Sequence, residues 1–129
     1  MRSAAIAAKR VNERRHASTT RRVAGVFTNR LRLGMPLQTD PTVIYGLGAQ
    51  FDGNLRKRDL RSDTAYNTYT RAGLPPTPIS MPGKASLEAA VRPEATKALY
   101  FVARGDGSSE FSETLPAHNR AVNQYQRGK

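Results

Sequence analysis

Residues 29–46 read NRLRLGMPLQTDPTVIYG, and this stretch holds the end of one predicted helix and the start of the next. Apolar side chains recur at helical spacing before and into it, which predicts a helix over residues 20–33 with one inward stripe. The stripe consists of Val23, Val26, Phe27 and Leu31. Gly34 can adopt the left-handed conformation with which many helices end, so the first helix should stop there.

The second helix is predicted to start at Asp40 and Pro41. Asp40 is the expected N-cap, and Pro41 suits the first helical position, where a missing N–H costs nothing. The inward side chains should be Val43, Ile44 and Leu47. Because Gly46 and Gly48 weaken a helix, this one should be short.

Residues 51–83 are predicted to form a long loop, because they contain four of the eight prolines. Pro75, Pro76, Pro78 and Pro82 fit neither a helix interior nor a central strand. Residues 55–60 within this loop are expected to form one helical turn. Ordered loops of this length usually carry function, so this loop is the first candidate for a substrate groove.

The remaining segments predict further helices and one hairpin. Residues 3–15 are rich in Ala and Arg and predict a helix, as do residues 85–91 and 115–126. An aromatic and β-branched run at 99–103 precedes a Gly-Asp-Gly turn and residues 110–112, which predicts a β-hairpin. The predicted fold is therefore a single, mainly helical α+β domain over residues 1–129, with one β-hairpin and a groove-forming loop.

The composition argues against several kinds of site. The 129 residues are 38% hydrophobic, enough for one core, and no apolar run is long enough to span a membrane. The chain has no cysteine and only two histidines, His16 and His118. We therefore expect no disulfide, no metal site and no cofactor, and we expect the chain alone to be soluble.

The net charge of +11 is concentrated at the start of the chain. Residues 1–32 carry nine arginines and lysines against Glu13 alone, which gives this segment +8 of the total. Such a segment could bind nucleic-acid phosphates, anionic lipid headgroups or the carboxylates of peptidoglycan stem peptides. It is equally compatible with a solvated, frayed terminus.

Few residues have the pattern of a catalytic group. The sequence contains no Gly-rich phosphate loop, no nucleophile elbow and no paired histidines. Glu13 would be a general acid if burial in an apolar cleft raised its pKa, but a lone helical Glu is usually a surface residue. His118 and Asn119 are expected on a solvated face of the last helix.

Residues 66–69, Tyr-Asn-Thr-Tyr, place four hydrogen-bonding side chains in a row. Aromatic rings stack on sugar rings, while Asn67 and Thr68 can bond hydroxyl and acetamido groups. On this hypothesis, replacing Asn67 or Tyr69 by Ala should weaken substrate processing far more than stability. The alternative is a turn in which the tyrosines pack and Asn67 bonds the backbone.

Read together, these blocks resemble a known family. Residues 29–46 are similar to the signature block of the YceG-like endolytic murein transglycosylases. Residues 65–69, 73–76, 82–83, 99–102 and 118–119 follow in the family's order and approximate spacing. The resemblance extends from about Arg22 to the end of the chain.

The resemblance implies a lysozyme-like catalytic domain and a set of site residues. Counting back without a gap from residues 23–27 places the family's catalytic acid at Glu13. The implied reaction is cleavage, without water, between N-acetylmuramic acid and N-acetylglucosamine, with one carboxyl acting first as acid and then as base. The muramic 6-hydroxyl then closes on C1 and leaves a 1,6-anhydro end. The implied substrate-binding residues are Gln38, Asp40, Tyr66, Asn67, Thr68 and Tyr69.

The resemblance also implies a cellular setting. The family's membrane helix and LysM-like subdomain have no counterpart here, so the chain is expected to be the catalytic part of a larger parent, with residues 1–21 a divergent basic segment. The parent should lie at the periplasmic face of the inner membrane, with peptidoglycan glycan strands and the cell-wall synthesis machinery as partners and no nucleic acid. The alternatives left open are an inactive peptidoglycan-binding fragment and a basic nucleic-acid-binding protein.

Overall fold

The structure is a computed structural model that describes residues 19–80 and 82–127. Within these ranges, helix α1 covers residues 19–33. The later elements are helices α2 (Asp40–Leu47), α3 (Lys57–Arg61) and α4 (Lys84–Val91), strands β1 (Tyr100–Ala103) and β2 (Ser109–Ser112), and helix α5 (Leu115–Val122). A 3-10 turn at Gly48–Gln50 follows α2, and a π turn at Asn123–Arg127 follows α5. The predicted α+β class is confirmed, whereas the helix predicted at 3–15 lies outside the described ranges.

The chain divides into two compact units. The terminal unit comprises Met1–Asn29 and Pro82–Lys129, and the central unit comprises Arg30–Met81. The expectation of a single folding domain stays a prediction. In neither described range is there a helix that combines the length and the apolar character of a membrane span.

The terminal unit is built on the predicted hairpin. Strands β1 and β2 pair antiparallel, with Phe101 opposite Phe111. The Phe27 ring of α1 meets Phe101 edge-on at 5.9 Å between ring centroids. The buried apolar side chains of this unit are Val26, Ala89, Ala98, Val102 and Ala121. They come from α1, α4, α5, β1 and the segment before β1, so the hairpin and helices share one small core.

Helix α1 lies close against the segment that precedes β1. The Asn29 side chain donates hydrogen bonds to the carbonyl oxygens of Thr96 (2.7 Å) and Ala98 (3.0 Å). A Cβ atom at Gly25 would lie 2.5 Å from the carbonyl oxygen of Glu94, which is nearer than real Cβ atoms come. Glycine is therefore required at this position because the two backbones touch.

His118 departs from its predicted environment. It was expected on a solvated helix face, yet it is half-buried and its ring stacks on Tyr100 at 5.0 Å between centroids. Asn119, the next residue of α5, is exposed as predicted. The aromatic stacking partner comes from β1, which is a tertiary contact that the local sequence of α5 does not encode.

The boundary between α1 and α2 is confirmed in outline and corrected in detail. Gly34 ends α1 with a φ of 73°, as predicted. The N-cap of α2 is Thr39, and Asp40 is the first helical residue rather than the cap. Leu31, assigned to the inward stripe, is 39% exposed, whereas the neighbouring Arg30 is buried. At the C-terminal end of α1 the buried position is therefore residue 30, and not residue 31 as the apolar stripe predicted.

Candidate functional site

Helix α2 runs beside residues 64–69 in antiparallel order, and this pairing builds a polar site at the start of the helix. The Tyr69 hydroxyl donates to Asp40 Oδ1 at 2.6 Å. One step further along, the hydroxyls of Thr42 and Thr68 are 2.8 Å apart. The backbone N–H of Thr39 donates to the Thr68 hydroxyl at 2.9 Å, and the Thr42 hydroxyl donates to the Thr39 carbonyl at 2.7 Å. These bonds close a ring of threonines beneath the Asp40–Tyr69 pair.

The same pairing continues toward the end of α2. Tyr45 packs against Tyr66, with ring centroids 4.7 Å apart and an interplanar angle of 54°. Beyond it, a Cβ atom at Gly46 would overlap the Thr64 hydroxyl and lie 3.2 Å from Thr64 Cβ. Gly46, which the sequence marked only as weakening the helix, therefore allows the close approach that brings the two segments together.

Asn67 holds the turn from inside. Its side chain is fully buried, at 0% exposure. Nδ2 donates to the carbonyl oxygens of Leu60 (3.1 Å) and Ser62 (2.7 Å), and Oδ1 accepts from the N–H of Tyr69 (2.8 Å). The alternative in which Asn67 bonds the backbone of a turn is the one the structure shows. The expectation that Asn67→Ala would affect processing far more than stability is therefore revised.

Gln38 is held in a left-handed backbone conformation, with a φ of 53°. Among the residues that the structure describes, it is the one non-glycine with positive φ. Its N–H donates to the Thr68 carbonyl at 3.2 Å, and its side-chain oxygen accepts from Arg30 at 3.3 Å. Strained backbone of this kind is maintained only where the surroundings enforce it, and it clusters at functional sites.

Arg30 helps to hold the backbone of Gln38 in this conformation. Its side chain is buried at 7% exposure, although it carries a charge. One guanidinium nitrogen donates to the carbonyl oxygens of Pro36 (3.0 Å) and Leu37 (3.4 Å) as well as to Gln38. A buried guanidinium is tolerated where it is hydrogen-bonded, and here its bonds fix three consecutive residues before α2.

The electrostatics of the site keep Tyr69 protonated. Partial burial raises the pKa of the Tyr69 hydroxyl above its usual value, and the hydrogen bond and charge of Asp40 raise it further. The charge of Arg30 acts in the opposite direction but does not cancel these effects. Tyr69 therefore remains a neutral donor near neutral pH, and Asp40 accepts this hydrogen bond through Oδ1, so the bond does not involve its second carboxylate oxygen.

The structure brings together all six substrate-binding residues predicted in the central unit. Gln38 and Asp40 are exposed, Tyr66 and Tyr69 are half-buried, and Asn67 and Thr68 are buried. Glu13 lies outside the described residues. Arg30 and Tyr45 were not predicted as site residues, because Arg30 lies between members of an apolar stripe and Tyr45 lies inside a helical pattern. Over 19–80 and 82–127 there is no group of three His, Cys, Asp or Glu side chains that could hold a metal ion.

The fold and this site define an α+β protein with a hydroxyl-rich cluster beside a strained glutamine. The YceG-like family matches residues 4–124, nearly the whole chain. The chain therefore belongs to the YceG-like family. The family expected from the sequence blocks is confirmed.

Two curated relatives and one solved structure are similar to the chain. The endolytic murein transglycosylase of Bacillus subtilis (strain 168) is 49% identical over 104 residues, covering 81% of this chain and 29% of the relative. That of Streptococcus pneumoniae serotype 2 (strain D39) is 32% identical over 112 residues, covering 83% of this chain and 20% of the relative. A 2.6 Å crystal structure of a YceG-like protein from Listeria monocytogenes matches with a TM-score of 0.72 and 48% identity, covering 78% of this chain and 33% of that chain.

The coverage is unequal between the chain and these proteins. The chain spans between 20% and 33% of their lengths.

Proposed function

We propose that this chain is the catalytic part of a lytic transglycosylase that cleaves peptidoglycan glycan strands within the strand. The observation that carries the proposal is the 49% identity, over 81% of this chain, to a relative named endolytic murein transglycosylase. The family match at 4–124 includes Glu13 and the whole central unit. Gln38 and Asp40, which are exposed at the start of α2, carry polar groups suited to the hydroxyl and acetamido groups of a glycan.

Glu13 is the proposed catalytic residue. As a carboxylic acid it donates its proton to the glycosidic oxygen between N-acetylmuramic acid and N-acetylglucosamine, and the C1–O bond breaks. As a carboxylate it then takes the proton from the muramic 6-hydroxyl, whose oxygen bonds to C1. The product is a 1,6-anhydromuramic end, so the reaction needs neither water nor a second catalytic carboxylate.

The substrate-binding residues divide into two roles in this proposal. Four residues with exposed or half-buried side chains contact the glycan through their polar groups: Gln38, Asp40, Tyr66 and Tyr69. Asn67 and Thr68 position them, because both are buried and bonded to the segments that carry the contact residues. The long loop at 51–83 forms the groove wall of a lysozyme-like domain.

The proposed cellular role follows from the proposed product. Cleavage within a strand limits glycan length, so the enzyme terminates glycan elongation alongside the cell-wall synthesis machinery. The proposed location of the enzyme is the periplasmic face of the inner membrane, where nascent strands are made.

The test is mass spectrometry of purified sacculi after incubation with the chain. We expect new 1,6-anhydromuramic ends from the wild-type protein and none from Glu13→Gln, which keeps the side-chain shape but cannot donate the proton. Glu113→Gln is the matched control, because Glu113 is an exposed glutamate just before α5. Wild-type products with reducing rather than anhydro ends would contradict the proposed chemistry.

The remaining outcomes of this experiment identify the alternatives. Retained cleavage by Glu13→Gln would move the catalytic acid to another residue. Binding to sacculi without any cleavage would indicate a peptidoglycan-binding fragment. Tight, steeply salt-dependent binding to RNA without glycan turnover would indicate a nucleic-acid-binding protein.

A further inference from the structure

Tyr45 has an aromatic ring that the fold leaves about half exposed. It lies on α2, its side chain is 47% exposed, and its ring packs against Tyr66. Over residues 19–80 and 82–127 its hydroxyl makes no hydrogen bond, so among the described residues its ring contact is with Tyr66 and about half of the side chain faces outward. An exposed aromatic surface of this kind is suited to a ligand with an apolar face.

The orientation of the two rings is fixed from both sides. The Tyr66 hydroxyl and the Thr77 hydroxyl are 2.8 Å apart, which anchors the far edge of the Tyr66 ring. The close approach of Gly46 to Thr64 fixes the helix against the turn directly beside the pair. Tyr45 and Tyr66 are therefore pre-organised, and binding a ligand there costs little side-chain entropy.

The aromatic pair is displaced from the polar cluster along the same helix. Asp40 and Tyr45 are five residues apart, about 7.5 Å along the helix axis and about 140° around it. Both contact the same neighbouring segment, Asp40 through Tyr69 and Tyr45 through Tyr66. That displacement is on the scale of a sugar ring. A glycan that places one sugar at Asp40 and Tyr69 can therefore extend a neighbouring sugar toward Tyr45.

We propose that Tyr45 and Tyr66 form an aromatic subsite that stacks on a pyranose ring of an N-acetylated glycan, one sugar away from the Asp40–Tyr69 pair. This inference rests on the proposed function for its ligand class. The axial C–H groups of a β-linked N-acetylhexosamine form an apolar face, and that face packs on the ring of Tyr45. The subsite recognises ring shape rather than a charged group, so it contributes to binding and to the register of the strand.

Isothermal titration calorimetry with a soluble tetramer of β-1,4-linked N-acetylglucosamine tests the subsite. We expect Tyr45→Phe to bind like the wild type, because the ring is kept. We expect Tyr45→Leu to bind roughly three- to tenfold more weakly, the effect of losing one aromatic stacking contact. Tyr125→Leu, which removes a tyrosine from the terminal unit, is the control and should bind like the wild type.

Ring-selective NMR of the wild-type protein gives a measurement that does not depend on the stability of any variant. The Tyr45 and Tyr66 ring protons should shift during titration with the tetramer. Unshifted rings, no measurable binding by the wild type, or equal binding by Tyr45→Leu and Tyr45→Phe would each overturn the subsite. Tyr45-dependent binding by a chain that forms no anhydro ends would instead overturn the proposed activity and leave the subsite standing.

Discussion

Asn67 contributes three hydrogen bonds that no neighbouring side chain can replace. We expect Asn67→Ala to lower the free energy of unfolding by about 2–4 kcal/mol, because the variant removes a fully buried amide together with its hydrogen bonds to Leu60, Ser62 and Tyr69. Urea denaturation followed by circular dichroism measures this change. Asn54→Ala is the control, since Asn54 is exposed and should change stability by less than about 0.5 kcal/mol. If Asn67→Ala kept the wild-type stability but lost glycan processing, Asn67 would instead be assigned to direct contact with the ligand.

Tyr69 should ionise at higher pH than an ordinary tyrosine, because burial and Asp40 raise its pKa. Asp40→Asn should bring the pKa of Tyr69 back toward the usual value of about 10. A raised folded-state pKa stabilises the fold below the unfolded value, and this contribution is lost as pH rises through the folded value. Asp40→Asn should therefore also weaken the dependence of stability on alkaline pH.

Ultraviolet absorbance titration measures the tyrosine ionisation, and Tyr69→Phe assigns the late step to this residue. Titration of Tyr69 together with the other tyrosines would show that the bond to Asp40 does not persist in solution.

At the scale of elements, the packing of α2 on residues 64–69 depends on Gly46, which has no side chain. Alanine favours a helix over glycine, so propensity alone predicts that Gly46→Ala stabilises the protein by about 1 kcal/mol. We expect the opposite, a loss of about 1–3 kcal/mol, because the added methyl overlaps Thr64. Thermal melts of Gly46→Ala and of the double variant Gly46→Ala/Thr64→Ala test this. Removing the Thr64 hydroxyl and methyl should recover most of the lost stability, and equal melting of the two variants would contradict the contact.

Local patterns predicted most elements, because their determinants are adjacent in sequence. Gly34 ends α1 through its own backbone freedom, and the Gly-Asp-Gly turn joins β1 to β2. The cap of α2 was misplaced by one residue because Asp40 and Thr39 are both good N-caps. Asp40 is instead bonded by Tyr69, from a loop about thirty residues away in the chain, which is a contact that the local sequence does not encode.

The sequence predicted those site residues whose types form an unusual local run. It missed those whose role depends on contacts with residues distant in the chain. The run from Tyr66 to Tyr69 stands out in the sequence, yet its division into exposed and buried members depends on α2. Arg30 looks like one more surface arginine in a basic segment until residues 36–38 fold around it. Neither hydrophobic periodicity nor composition carries that information.

At the scale of the whole molecule, the charge of +11 should govern how the chain meets its proposed substrate. Stem peptides carry carboxylates, so we expect binding to intact sacculi to weaken as salt rises from low to physiological concentration. Co-sedimentation at increasing salt measures this. Glycan strands stripped of their stem peptides are the control and should bind with little salt dependence. Equal salt dependence for both would mean that the positive charge does not act through stem-peptide carboxylates.

The antiparallel pairing of α2 with residues 64–69 also determines where the chain can change length. An inserted or deleted residue inside 40–46 or 64–69 would put the two ends of the pairing out of register, so that the Asp40–Tyr69 and Tyr45–Tyr66 contacts could not both be kept. Residues 52–54, in the stretch between the two partners, are exposed, whereas Leu60 and Ser62 in the same stretch bond Asn67 through their carbonyl oxygens. Length variation among homologous chains should therefore accumulate around 52–54 rather than near Leu60 and Ser62, and 52–54 is the natural place to graft a peptide tag or a reporter.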